Sequence, residues 1–168
     1  MKTFRRRSAN RKIQELAGVP LFDHVPRRVL ELVAGHVDEV EVRAEQVLIH
    51  EGHRNNAFWI VMSGAADVLI GGRKQRAIGP GQFFGTSTMF DGKPAIATVV
   101  ARTPMRAYVA SADQFRALEG NETIAVRLLH YALERVREDL EAAAAKPKPA
   151  PKPGPARPPG AKRKAKAP

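Results

Sequence analysis

The sequence predicts an α+β fold: an antiparallel β-roll of the double-stranded jelly-roll kind, with flanking helices and a long C-terminal helix. Three observations carry this reading. Helical apolar spacing occupies both flanks of the central region, strand-like apolar runs fill the middle, and glycine-bearing turns separate those runs at close intervals. Short strands spaced in this way, with no helices between them, pair antiparallel in a sandwich or barrel. The order is helices, about eight strands, then helices again.

Taken in order, Lys2 to Lys12 reads as a basic arm. Ile13, Leu16 and Ala17 give a short helical face that stops at Gly18. After Leu21-Phe22-Asp23-His24-Val25 comes a second helix. Pro26 suits its first turn, Val29, Leu30 and Val33 space an apolar face, and Gly35 ends it. At Val37 the period becomes strand-like. Val40 and Val42 alternate with charges, and Val47–Ile49, Phe58–Met62, Val68–Ile70, Thr98–Ala101 and Ala107–Ala110 are short apolar runs. Glu51-Gly52, Asn55-Asn56, Ser63-Gly64, Gly71-Gly72 and Gly79-Pro80-Gly81 supply the turns. Ser111 and Gln114 form a capping box for a helix carrying Phe115 and Leu118, which Gly120 ends.

The last helix is predicted from about Glu122 to Ala144. Ala125, Leu129, Ala132, Leu133, Val136 and Leu140 form one apolar stripe, with Ile124, Leu128 and Tyr131 beside it. Its first half is apolar over a wide arc and is expected to pack on the barrel. Its second half keeps one narrow seam flanked by charges, which suits a contact between two helices. Leu129, Leu133, Val136 and Leu140 are therefore the expected seam of a homodimer, or of a contact with a protein partner.

Charge is unevenly spread. Of 28 basic residues, six lie in residues 1–12 and eight in residues 146–168, with no acid in either stretch. The 14 left between them face all 17 acids, so the body is mildly acidic. The expected division is a basic arm over 1–12, a folded domain over 13–142 and a disordered Lys/Pro/Ala-rich tail over 143–168. Within the tail Lys146, Lys148, Lys152, Arg157, Lys162, Arg163, Lys164 and Lys166 suit nucleic acid or another polyanion, although a purely solubilising segment would have the same composition. The absence of cysteine excludes disulfides, iron–sulfur clusters and cysteine-ligated zinc, and fits a reducing, cytoplasmic setting. No apolar run reaches membrane-spanning length, so no span is expected.

The stretch most suggestive of chemistry runs from Phe83 to Val100. Gly85 lets the chain bend into a short helix, the hydroxyls of Thr86, Ser87 and Thr88 are placed to cap its amides, and Met89 and Phe90 are expected to turn inward. The amides at such a helix start converge and suit a phosphate. Other candidates are weaker. His50-Glu51-Gly52-His53 is one residue short of a helical zinc motif and lies on a strand–turn, so it reads as a polar turn. His24, His36 and His130 are isolated, and Asp23, Asp67 and Asp91 have no nucleophile near them in sequence. No catalytic group, metal site or enzymatic activity is expected.

Residues 21–141 resemble the cyclic-nucleotide-binding domain of the family that includes the bacterial catabolite activator, protein-kinase regulatory subunits and gated channels. The resemblance rests on Leu21-Phe22, His50-Glu51-Gly52, Phe58-Trp59-Ile60-Val61-Met62-Ser63-Gly64, Gly79-Pro80-Gly81-Gln82-Phe83-Phe84-Gly85, Ala97-Thr98-Val99 and Asp113-x-Phe115. It implies that Phe84, Gly85, Thr86, Ser87, Thr88, Lys93, Ala95 and Ile96 belong to a phosphate-binding cassette, and that cyclic AMP or cyclic GMP is the ligand. Two positions depart from the family pattern. Thr86 stands where the family has a glutamate for the ribose hydroxyl, and Ala95 where it has an arginine for the phosphate. Lys93 reaches toward a phosphate only as a flexible point charge. The resemblance with these departures implies a non-enzymatic regulatory or interaction module that binds cyclic nucleotide weakly. A sensor that signals through its last helix, and a nucleic-acid-associated factor acting through basic tails, are the alternatives. Regulators of the catabolite-activator type continue into a helix-turn-helix, which proline, lysine and alanine after residue 145 do not build.

Overall fold

The computed structural model describes the backbone of residues 2–145 and, apart from residues 2–8, 136, 139, 140 and 142–145, their side chains. Helix α1 spans Lys2–Ala17, one helix through the residues expected as an arm. Arginine, lysine and glutamine are good helix formers and nothing breaks the run before Gly18, so the backbone stays helical. The end of α1 is tied to the body. Ile13 and Leu16 are buried, Lys12 Nζ donates to the Val37 carbonyl at 2.7 Å, and Arg11 pairs with Glu39. A short 3-10 turn over Pro20–Phe22 leads to α2 at Arg27–Gly35, whose Val29, Leu30 and Val33 are buried.

Eight strands follow: β1 Asp38–Val42, β2 Val47–Ile49, β3 Ala57–Ser63, β4 Ala66–Ile70, β5 Arg73–Ile78, β6 Phe83–Phe84, β7 Thr98–Ala101 and β8 Met105–Ser111, with helix α3 at Thr86–Asp91 between β6 and β7. They form two antiparallel four-stranded sheets, ordered β1-β8-β3-β6 and β2-β7-β4-β5. Helices α4, Ala112–Glu119, and α5, Glu122–Ala145, complete the chain. Strand β5 carries no sequence signal for a strand. Arg73-Lys74-Gln75-Arg76-Ala77 is polar and only Ile78 is buried, because β5 lies at a sheet edge and pairs only with β4. Cationic edges of this kind resist pairing with other chains.

Alternation along β3 and β8 separates two cores, since successive side chains leave opposite faces of a strand. Phe58, Ile60, Tyr108 and Ala110 meet Leu16, Phe22, Leu30, Phe115, Ile124 and Leu128 in a helix-side core. Val61, Met105 and Ala107 join Val42, Ile49, Val68, Ile78, Phe84, Ala95 and Val99 in a core within the roll. The capping box of α4 forms as the sequence predicts: the Ser111 side chain accepts from the Gln114 amide, and Gln114 accepts from the Ser111 amide.

A charged cluster fastens α1 to the outer face of the first sheet. Arg106 of β8 donates two hydrogen bonds to Glu15, at 2.9 and 3.2 Å, and a third to Glu39 at 3.0 Å, while the Tyr108 hydroxyl donates to Glu15. Burial pushes the Glu15 carboxyl up, but hydrogen bonds from Arg106 and Tyr108 and the Arg106 charge outweigh it, so the carboxyl sits below its ordinary range. Burial, reinforced by the hydrogen bond to Glu15, pushes the Tyr108 hydroxyl up to about 12. The Glu15 hydrogen bond likewise raises Arg106 above its ordinary value.

Candidate functional site

The cassette is held by backbone bonds before it and after it. Gly81 donates to the Val61 carbonyl at 2.8 Å and Val61 donates to the Gln82 carbonyl at 2.9 Å, which anchors the Gly79-Pro80-Gly81 turn on β3. β6 then pairs Phe83 and Phe84 with Ile60 and Trp59. At Gly85 the chain takes φ 93°, and a Cβ there would stand 2.4 Å from the Ala57 carbonyl oxygen. Glycine is therefore required by both conformation and space. Helix α3 ends at Gly92, also left-handed, whose amide donates to the Thr88 carbonyl at 3.1 Å. Beyond it Ala95 donates to the His53 carbonyl at 2.8 Å and accepts from the Gly52 amide at 2.7 Å.

The hydroxyls do not cap α3 as the sequence predicts. Gly85 is the N-cap and no side-chain cap bond forms. Thr88 is buried, and its hydroxyl donates to the Gly85 carbonyl at 3.1 Å while accepting from Asn55 Nδ2 at 3.0 Å. Asn55 also donates to the Ala57 carbonyl at 2.7 Å and accepts from the Ala57 amide at 3.2 Å. It is thus a latch between the β2–β3 loop and the cassette. Its sequence signal, Asn-Asn before a strand, marks only a turn. Phe90 does not turn fully inward: it is 41% exposed, with its ring edge-on to Phe115 at 5.4 Å. A six-residue helix presents too little surface for both Met89 and Phe90 to enter the core.

The remaining predicted cassette residues do not converge on one point. Phe84 and Ala95 lie in the apolar core within the roll, at 6% exposure each, whereas Ile96 is 74% exposed. Lys93 is exposed, and its amide donates to Asp91 Oδ1 at 2.9 Å. Neither Thr86 nor Ser87 makes a side-chain hydrogen bond among the described residues. One residue escaped sequence reasoning. Trp59 stacks on Phe84 with ring centroids 5.7 Å apart and planes 5° from parallel, packs against the core within the roll, and has no partner for its buried Nε1–H among the described residues. Strand alternation places it there, but the run Phe58–Met62 is apolar on both faces and does not reveal which side faces inward.

Elsewhere, no three His, Cys, Asp or Glu side chains converge in a metal-like group among the described residues. The rings of His50 and His53 meet edge to face at 5.7 Å. On α5 the two apolar stripes separate. Ile124 and Leu128 are buried at 1% exposure, while Leu129 and Leu133 are exposed at 58% and 61%. The first half of α5 thus packs through the narrower stripe only, because one helix face meets the body. Val126, one turn before Leu129, is also exposed and extends the open stripe. The Val136 and Leu140 side chains lie outside the described residues, as do Lys146, Lys148, Lys152, Arg157, Lys162, Arg163, Lys164 and Lys166. No described helix is long and apolar enough to cross a membrane.

Residues 39–121 match the family model of the cyclic nucleotide-binding domain. The cAMP-dependent protein kinase regulatory subunit of Dictyostelium discoideum is 27% identical over 122 residues, which is 70% of this chain and 37% of that protein. The chain spans 22–37% of the length of the curated relatives it matches. Among solved structures, the regulatory subunit of a cAMP-independent protein kinase A from Trypanosoma brucei superposes with TM-score 0.71 at 18% identity, covering 82% of this chain and 50% of that one. The catabolite activator protein of Thermus thermophilus gives TM-score 0.67 at 23% identity, covering 74% and 62%.

Proposed function

Residues 39–121 belong to the cyclic nucleotide-binding domain family, and from that premise we propose that this chain is a regulatory module whose cassette keeps the family's backbone while lacking its ribose and phosphate contacts. The observation that carries the proposal is Ala95. It stands in the arginine's place with its methyl group in an apolar core and its backbone closed onto His53 and Gly52, so no cation faces a ligand from that position. A charge-assisted partner of this kind costs about 2–5 kcal/mol when removed from a buried contact. Thr86, in the glutamate's place, offers a hydroxyl but no carboxylate. Cyclic AMP or cyclic GMP thus binds weakly, and regulation runs through a protein surface, with the open stripe of α5 as its site.

The fold tolerates this arrangement because its cassette is positioned by Gly85, Asn55 and Thr88, none of which needs a bound nucleotide. Calorimetric titration of the chain with cyclic AMP and cyclic GMP is the test. Dissociation constants no tighter than about 100 μM, near −5.5 kcal/mol, are expected. Sub-micromolar binding of either nucleotide would overturn the proposal and favour a sensor that moves its last helix on binding.

A further inference from the structure

A cleft lies between the β2–β3 loop, the end of α3 and helix α4. It holds about 160 Å³ and is lined by Arg54 and Asn56 of the β2–β3 loop, Lys93 after α3, and Arg116 of α4, with Asn55 and Thr88 in its wall. That volume far exceeds the roughly 10–15 Å³ that seats one water. Of the expected cassette, Thr88 and Lys93 line it while Gly85, Thr86, Ser87, Ala95 and Ile96 do not, so the cleft opens at the outer end of the cassette, away from its N-terminal amides.

Its charge is one-sided. Three cations from separate parts of the chain meet around one concavity, and no lining residue is acidic. The Arg54 and Lys93 side chains have no ion pair or hydrogen bond among the described residues. Two carboxylates lie nearby without lining the cleft: Asp91 accepts from the Lys93 amide at 2.9 Å, and Asp113 pairs with Arg116 at 2.6 Å in a contact where both side chains are largely exposed. Such an exposed pair is weak and exchanges readily for a stronger anion. The wall is held by hydrogen bonds, because Asn55 donates to both the Ala57 carbonyl and the Thr88 hydroxyl. A guanidinium fork, a second guanidinium and an ammonium over a fixed polar wall match an oxyanion that carries two or more charges. Like charges gathered without an internal acid repel, and a bound dianion relieves that repulsion.

We propose that this cleft is a binding site for a phosphate-class dianion, either a free phosphorylated metabolite or a phosphorylated side chain of a partner protein. Its position gives the site a consequence. An anion held by Arg54, Lys93 and Arg116 ties the β2–β3 loop, the end of α3 and α4 together, and so reaches the cassette from outside the roll.

The test titrates the full chain, labelled with 15N, with pyrophosphate and separately with a short phosphoserine peptide, each against chloride at matched ionic strength. Saturable amide shifts are expected at Arg54, Asn56, Lys93 and Arg116, with Thr86, Ser87 and Ile96 unmoved. The Arg54→Gln, Lys93→Gln double variant should weaken the saturating probe about tenfold, with unchanged thermal unfolding because both residues are exposed. Saturation by pyrophosphate assigns the site to free metabolites, and saturation by the peptide alone assigns it to a phosphorylated partner. Shifts that never saturate with either probe, that centre on Thr86 and Ser87, or that survive the double variant would each overturn the site. Residue-resolved shifts separate the cleft from the basic tail, which attracts the same probes.

Discussion

The contact beneath α1, on β1 and β8, and the cassette at α3, beside β3 and β6, place polar groups against the first sheet in opposite ways. Under α1, Glu15, Arg106, Tyr108 and Glu39 form a closed cluster in which each charged group meets an opposite charge. At the cassette, Thr86 and Ser87 have no side-chain hydrogen bond among the described residues, Ala95 supplies a methyl group, and the start of α3 is held by neutral contacts through Asn55 and Thr88. Ion pairs thus dock helix α1, whereas neutral hydrogen bonds hold the start of α3. The partly buried Arg106 belongs to helix docking.

That contrast sets the order of the tests. The largest effect is expected where the cassette is sterically fixed. Gly85→Val places a branched side chain in a left-handed conformation against the Ala57 carbonyl, and should lower stability by roughly 3–5 kcal/mol in urea unfolding. Unchanged stability would mean that the cassette backbone is free to rearrange. Glu15→Ala should follow at about 2–3 kcal/mol, since it leaves Arg106 and Tyr108 without their shared acceptor at a partly buried site. Thr86→Ala, at a hydroxyl with no hydrogen bond among the described residues, should cost less than about 0.5 kcal/mol by the same assay.

Next comes the ligand. Ala95→Arg alone should destabilise the free chain by burying a guanidinium among Val42, Ile49 and Val99. Combined with Thr86→Glu, it should tighten cyclic AMP binding by more than the product of the single changes, because both groups would hold one ligand. Strictly multiplicative effects in calorimetry would show that the two positions do not face the same molecule.

The charged cluster also predicts two pH windows. Glu15 titrates below its unfolded value, so its stabilising contribution is complete above the ordinary carboxylate range and is lost as acid protonates the folded state. Tyr108 titrates near 12 in the folded state, so its contribution is complete below about 10 and lost between the two. Thermal unfolding of Glu15→Gln, compared with the parent, should lose the acid step, and Tyr108→Phe the alkaline one. The smallest stability effect is expected on α5. Leu133→Glu, at an exposed position, should change stability by less than about 0.5 kcal/mol yet convert a dimer to a monomer in light scattering. A parent chain that is already monomeric at high micromolar concentration would remove the homodimer seam.

Much of this molecule is legible from residues in order. Alternation at Val40 and Val42, the runs at Phe58–Met62 and Ala107–Ala110, the Gly79-Pro80-Gly81 turn and the Ser111–Gln114 capping box each describe a local geometry that the backbone must satisfy nearby, so sequence spacing alone identifies them. That Thr86 and Ala95 stand at the two expected contact positions is also legible in sequence, since those are statements of residue identity. The tertiary structure decided what depends on distant partners. Arg73–Ile78 becomes a strand only because β4 offers it an edge, and Asn55 becomes a latch only because Thr88 arrives from 33 residues away. Which stripe of α5 is covered, which face of β3 holds Trp59, and the meeting of Arg54, Lys93 and Arg116 in one cleft are likewise set by packing. Periodicity specifies that a face is apolar or a residue charged, whereas only the folded chain specifies what lies opposite.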